Sequence, residues 1–261
     1  ISLGNNIFSK KTFDLIIIDE ATQSTELGLL NALIKLNDNP NASIVLIGDH
    51  KQLPPTITSQ IGKKNGYDVS MFERLVNETN IKIQFLDTQY RMHPAISKFP
   101  SEFFYNDEVK DGITANDRPL PLGYDWPNNN CPISFINLDK STEIQNASKS
   151  FQNEMEVDTL IKIVSDLLNN NTNGNYKIAV ITGYLAQKQL IERKLYNITP
   201  NGNIVNITTI DGFQGQQCDI LIFSGVRNND DYSIGFLKDY RRINVLLTRP
   251  KYGIIIVGNK K

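Results

Sequence analysis

The string Leu15-Ile16-Ile17-Ile18-Asp19-Glu20 sets the fold class. Four apolar residues between polar neighbours have the length of a strand, and a run without alternation suits one buried on both faces. A second string of the same form, Ile44-Val45-Leu46-Ile47-Gly48-Asp49, lies downstream. Between them Leu29, Leu30, Leu33, Ile34 and Leu36 recur near helical spacing, and Ser24 or Thr25 is placed to cap a helix over residues 26–36. Buried strands alternating with helices predict an α/β fold, a mostly parallel sheet with helices on both faces.

The rest of the chain extends this pattern. Residues 83–86 read as a third strand, and the polar, proline-containing stretch 111–132 as irregular. Val157, Leu160, Ile161, Val164, Leu167 and Leu168 mark an amphipathic helix, with Asn153 and Glu156 spaced as a capping box at its start. An asparagine run, 169–175, reads as a surface loop. Further strands are predicted at 177–182, 204–210, 220–224 and 253–258. No internal repeat is present.

Composition narrows the function classes. The 261 residues are 40% hydrophobic and 21% charged, ordinary for a globular chain with a sizeable core. Lys and Arg number 27 against 28 Asp and Glu, a net charge of -1. Bulk charge therefore announces no nucleic-acid partner, although a local channel can still be lined with donors. Cys131 and Cys218 stand far apart, and His50 and His93 are the only histidines, so neither a disulfide framework nor a zinc site is expected. The cysteine usage suits a reducing compartment, cytoplasmic or nuclear. No apolar run approaches the roughly 18 residues of a membrane span, and the first residues do not form a signal peptide. No membrane partner is expected, and a monomer is.

The strand ends carry the chemistry. A carboxylate at the carboxyl end of a parallel strand lies in the crevice where such sheets bind ligands. One acid there can hold Mg²⁺, usually through water, and the next can orient and deprotonate an attacking water, the Walker B arrangement. Asp19 and Glu20 fit those roles; a strand that merely ends in charge reads the same. In Gly48-Asp49-His50-Lys51-Gln52-Leu53-Pro54-Pro55, Gln52 is placed to reach a terminal phosphate, and a plain turn rich in Gly and Pro is the alternative.

With these residues in hand, the chain resembles superfamily 1 helicases of the up-frameshift (nonsense-mediated-decay) and senataxin-like branch. Asp19-Glu20-Ala21-Thr22-Gln23 is similar to motif II, and Gly48 to Pro55 to motif III. Gln89-Tyr90-Arg91-Met92-His93-Pro94 resembles motif IV, and Thr209-Ile210-Asp211-Gly212-Phe213-Gln214-Gly215 resembles motif V. Arg241-Arg242-Ile243-Asn244-Val245-Leu246-Leu247-Thr248-Arg249 resembles motif VI. Gly112-Ile113-Thr114-Ala115-Asn116-Asp117-Arg118 and Gly235-Phe236-Leu237 add to the likeness. The motifs stand in the family's order over nearly the whole chain.

The resemblance implies RecA-like domains, a partial one over 1–86 with motifs II and III and a complete one over 87–261 with motifs IV, V and VI. It implies ATP and Mg²⁺, with Asp19 on the metal, Glu20 as general base and Gln52 as γ-phosphate sensor. Arg91 and Arg249 would be the arginines that act on the phosphoryl group from the second domain. Tyr90 would stack on adenine, unless it is a core tyrosine, and Gln214, Gly215 and Gln217 would lie by the nucleotide. Thr209, Pro54 and Pro55 are candidates for single-stranded RNA or DNA, though Thr209 fits a plain strand residue equally. RNA and DNA are told apart at the 2′-OH, which no linear motif encodes. mRNA-decay or transcription-termination factors are the partners the family implies.

Three departures matter. No Gly-x-x-x-x-Gly-Lys-Ser/Thr string occurs; Ile61-Gly62-Lys63-Lys64 is the nearest. The chain is therefore expected to start past the phosphate loop and to be weakly active or inactive alone. Gln217 stands where many relatives have Glu, and Pro250 follows Arg249, where a proline tends to end a helix and so bears on the arginine's direction. The function expected is an ATP-driven motor that translocates on single strands and unwinds duplexes, 5′ to 3′ as the family implies. The alternative is a non-hydrolysing nucleic-acid-binding module or scaffold.

Overall fold

The computed structural model describes residues 12–36, 39–170, 176–196 and 205–260. The start of the chain, residues 171–175 of the asparagine run and residue 204 of an expected strand lie outside them. The chain divides into two compact units, Ile1–Phe85 and Leu86–Lys261.

In the first unit, β1 (Leu15–Ile18) feeds α1 (Glu26–Ile34), which returns to β2 (Ser43–Leu46). The strands are parallel, with Leu15 opposite Ser43 and Ile18 opposite Leu46. Thr25 is the cap: its side chain accepts from the Gly28 N–H at 3.1 Å. Two further helices follow, α2 (Gln60–Lys64) and α3 (Met71–Glu78), and Arg74 of α3 pairs with Glu26 of α1 through both ends of its fork. The expectation that both strands are buried on two faces is corrected. Leu15, Ile17 and Val45 are exposed while Ile16, Ile18 and Leu46 are half-buried. That alternation belongs to a sheet with one covered face. The third strand expected at 83–86 is also absent. Ile83, Phe85 and Leu86 are exposed, and among the described residues no strand pairs with this run.

The second unit opens with β3 (Thr88–Gln89), α4 (Pro94–Phe104) and β4 (Lys110–Asp111), β3 and β4 forming a short parallel pair. Next come β5 (Ile133–Asn137), the hairpin strands β6 (Ile144–Gln145) and β7 (Phe151–Gln152), and α5 (Glu154–Asn170). The remaining elements are β8 (Ile178–Thr182), α6 (Leu185–Tyr196), β9 (Val205–Thr209), β10 (Cys218–Ser224), α7 (Tyr240–Leu247) and β11 (Pro250–Gly258). Five of the strands make an all-parallel sheet in the order β5-β11-β10-β8-β9. The α/β expectation holds. Sequence reasoning missed β5, an edge strand in which only Ser134 is buried and Phe135 and Asn137 are exposed.

Both faces of this sheet are covered, which explains the unbroken apolar runs. Ile178, Val180, Ile220, Ile222, Ile255 and Val257 form one core with Leu160, Val164 and Leu167 of α5 and Leu190 and Ile191 of α6. The alternate residues Ala179, Ile181, Leu221 and Ile254 are buried on the opposite face. Each buried Val, Leu or Ile among them contributes roughly 1.5–3 kcal/mol by leaving water.

The start of α5 differs from a capping box. Asn153 does accept from the Glu156 N–H at 3.3 Å, but its own N–H donates to Gln187 at 2.7 Å. The Glu156 carboxylate instead reaches across the fold, accepting from the Ser224 hydroxyl at 2.6 Å and the Val226 N–H at 2.9 Å. Val226 is buried with φ 69, a conformation that β-branched residues rarely adopt. Glu156 thus fixes the chain where it leaves β10.

Burial raises the Glu156 carboxyl to about 7, partly offset by the Ser224 and Val226 hydrogen bonds. A folded pKa above the unfolded one means that the native state holds the proton more tightly. This contribution is therefore full below the ordinary carboxyl range and is lost as pH rises through about 7. Thermal melts should show wild type losing stability from pH 5 to pH 8, by on the order of a few kcal/mol. Glu156→Gln should be flatter over that range. Equal pH dependence in the two proteins would remove Glu156 as the source.

Candidate functional site

In the first unit the strand ends meet as loops. Beyond β1 and β2 the ladder continues, with Ile47 N donating to Ile18 O and Ala21 N to Ile47 O, both at 2.8 Å. Gly48 lies so close to Thr22 that a Cβ there would come within 3.0 Å of its methyl and 3.1 Å of its backbone nitrogen. The loop after Asp19 and Glu20 and the loop leading to Gln52 are therefore packed together. Glu20 is left-handed, φ 52 and ψ 38; its N–H donates to Asp19 Oδ1 at 2.9 Å, and its Oε2 accepts from Gln23 at 2.6 Å. Both carboxylates are exposed. Asp49 organises the second loop, accepting from Lys51 N at 2.9 Å and from the Gln52 side chain at 2.8 Å. Pro55 is buried and Pro54 half-buried, so only Pro54 of that pair has a face to offer.

In the second unit Arg91 and Arg249 converge on Thr248. Arg91 Nη1 donates to the Thr248 carbonyl at 2.8 Å, 157 residues along the chain. Arg249, only 3% exposed, donates from Nη2 to the Thr248 hydroxyl at 3.1 Å, from Nε to Val245 O at 3.1 Å and from Nη1 to Gln216 O at 3.4 Å. The concern over Pro250 is corrected. Helix α7 has ended at Leu247, and Pro250 is the first residue of β11, opposite Cys218, a position where proline fits a sheet.

The turn carrying Arg91 is built by its neighbours. Gln89 Oε1 accepts from the N–H groups of Arg91 and Met92, each at 2.8 Å, while its Nε2 donates to Met92 O and to Asp111. His93 caps α4, its Nδ1 accepting from Ala95 N at 3.0 Å, with Pro94 at the first helical position. Burial lowers the pKa of His93. Tyr90 is 65% exposed, which overturns its reading as a core tyrosine. Its ring lies against Gly112, where a Cβ would stand 2.2 Å from Tyr90 Cε1.

The register separates the other candidates. Thr209, Thr182 and Ser224 form one row at the carboxyl edge of the sheet, whereas Cys218 and Pro250 form a row at the amino edge. Gln214, Gly215 and Gln217 belong to the segment that runs from the first edge to the second. Gln214 is half-buried, Gly215 exposed with φ +73, and Gln217 exposed. Phe213 is buried beneath this segment, and Arg242 holds Asp211 with a bidentate pair at 3.0 and 3.2 Å. Thr209 Oγ1 accepts from Gly212 N at 3.3 Å. Arg242, Gly112 and Arg118 stand within the resembling motifs but carry no role in sequence, because their partners are set only by the fold.

Residues 67–261 match one family model described as an AAA domain, and residues 1–60 match a second of the same description. The chain belongs to this AAA-domain family. It is 37% identical over its full length to the Drosophila melanogaster regulator of nonsense transcripts 1 homolog, and covers 22% of that protein. It is 35% identical over 95% of its length to the Saccharomyces cerevisiae ATP-dependent helicase NAM7, covering 26% of it. The AAA-domain chain thus spans about a quarter of the length of the curated relatives it matches. A solved arterivirus nonstructural protein 10 helicase in complex with DNA aligns over 95% of this chain and 41% of its own, at 13% identity and a TM-score of 0.45. No helix among the described residues is long and apolar enough to cross a membrane.

The left-handed Glu20 gives a stability test. A side chain in that region costs about 1 kcal/mol or more, and glycine escapes the cost. In urea unfolding, Glu20→Gly should exceed Glu20→Ala in stability by about 1 kcal/mol, although both lose the carboxylate. Equal midpoints would mean that the backbone there is unstrained.

Proposed function

We propose that this chain supplies the Walker B, phosphate-sensing and arginine elements of an ATP-driven nucleic-acid helicase. On this reading residues 1–86 belong to a first RecA-like domain and 87–261 form a second. The observation that carries it is the convergence of Arg91 and Arg249 on Thr248. Thr248 adjoins Arg249 in sequence, and the fold brings Arg91 to its carbonyl from 157 residues away, so that two guanidinium groups stand beside one residue. The planar guanidinium suits charge spread over phosphoryl oxygens.

Each group then has a task. Glu20 orients and deprotonates the attacking water, and Gln52 contacts the terminal phosphate. Tyr90 stacks on the base with its open face, while Gln214, Gly215 and Gln217 line the nucleotide. Gln217 can accept a hydrogen bond through its amide oxygen as Glu would. The described residues offer no cluster of three or more metal-binding side chains. The exposed Asp19 carboxylate would hold Mg²⁺ that arrives with the nucleotide. When bound, the ion neutralises phosphate charge. Pro54 and Thr209 contact single-stranded RNA or DNA, and decay or termination factors are the class of protein partner.

In the full-length protein, Arg91→Ala and Arg249→Ala should each lower single-turnover hydrolysis by roughly 10³-fold or more, with little change in nucleotide affinity. Lysine at either position should not rescue, because it keeps the charge and loses the fork. Acting as one unit, the double variant should be little worse than the worse single one. Wild-type rates in both single variants would remove both arginines from the site, and absence of hydrolysis in the wild type itself would favour a non-hydrolysing scaffold.

A further inference from the structure

The peptide groups on either side of Arg91 are held at both ends. Arg118 Nη2 donates to the Tyr90 carbonyl at 3.0 Å and its Nε to the Arg91 carbonyl at 3.0 Å. The N–H groups of those same two peptides, on Arg91 and Met92, donate to Gln89. Each peptide plane is thus pinned by Arg118 on its oxygen and by Gln89 on its nitrogen. Planes pinned in this way set the directions in which the Tyr90 and Arg91 side chains leave the backbone.

Arg118 is itself delivered by a built turn. Thr114 donates to Asp117 from both N–H and hydroxyl at 2.8 Å, closing the turn Ala115–Asp117, and Arg118 Nη1 donates to the Asp117 carbonyl at 2.9 Å. The guanidinium also stands 5.4 Å from the ring centroid of Tyr252 on β11. Gly112, at the start of the same stretch, donates to Gln89 O at 2.8 Å and supports the Tyr90 ring. The fork therefore serves three carbonyls at once, a geometry that an ammonium on a flexible stem does not reproduce.

We infer that Arg118 is a positioning residue that aims Tyr90 and Arg91 together, coupling base stacking to phosphoryl-group stabilisation. The inference rests on the function proposed above. It makes residues 112–118 part of the working site through Tyr90 and Arg91. A small misplacement of a reacting group costs up to about 100-fold in rate.

The test is steady-state ATP hydrolysis by the full-length protein, comparing wild type, Arg118→Lys, Arg91→Ala and the double variant, with thermal melts alongside. Arg118→Lys should lower kcat roughly 10- to 100-fold and raise the KM for ATP several-fold, with the melting temperature little changed. In the Arg91→Ala background, adding Arg118→Lys should leave kcat unchanged, because its effect passes through Arg91, while KM should still rise through Tyr90. Wild-type kcat and KM in Arg118→Lys would overturn the inference, and so would losses in kcat that multiply in the double variant. If Arg91→Ala is impaired and Arg118→Lys is not, only this inference falls; a wild-type rate in Arg91→Ala removes the reading of the site as well. Should Arg118→Lys melt early, hydrogen exchange at the Arg91 and Met92 amides decides. Exchange faster there than in the sheet supports the inference, and unchanged exchange there overturns it.

Discussion

In a parallel sheet every strand delivers its first residue to one edge and its last to the other, and the register of β8, β9, β10 and β11 fixes what each edge holds. Thr209 is carried to the carboxyl edge with Thr182 and Ser224. Arg249 is carried to the amino edge, one residue before Pro250 enters the ladder opposite Cys218. A shift of one residue in either pairing would turn every buried side chain of that strand to the wrong face. The core that forbids that shift therefore also places the candidate groups.

The segment between β9 and β10 is one of the connections that run from the carboxyl edge to the amino edge. Phe213 anchors it below and the Arg242 pair with Asp211 holds its first turn. Its far end reaches Arg249 through the Gln216 carbonyl. Within the proposed function, a change at the nucleotide has a short packed path to Thr209, and the path runs through motifs V and VI. The Glu156 network fixes a different exit from the same carboxyl edge, where β10 ends.

The parts of this architecture legible in sequence were those that local pattern determines. Ile178 to Thr182 read as a buried strand because both of its faces are covered, and the amphipathic spacing of Val157 to Leu167 shows which face α5 buries. Leu15 and Ile17 look the same in sequence but are exposed, since burial depends on what packs against a strand and not on the strand. Residues 83–86 failed for the same reason. Glu156 was misread because three-residue spacing to Asn153 suits a capping box as well as a partner 68 residues away. Arg91 and Arg249 are legible only through the resemblance, and Arg118 carries no role within its motif. Nothing local in Thr114-Ala115-Asn116-Asp117-Arg118 indicates that its last side chain will hold the carbonyls of Tyr90 and Arg91.

The central claim is that Arg91 and Arg249, gathered at the amino edge of the second unit's sheet, act on the phosphates of a nucleotide whose base lies on Tyr90. A crystal structure of the full-length protein with a non-hydrolysable ATP analogue and Mg²⁺ tests it most directly. The account predicts the base stacked on the open face of Tyr90, and both guanidinium groups within hydrogen-bonding distance of the terminal phosphate. A nucleotide whose phosphates lie at the carboxyl edge beside Thr209, with Arg91 still bound to the Thr248 carbonyl, would contradict it.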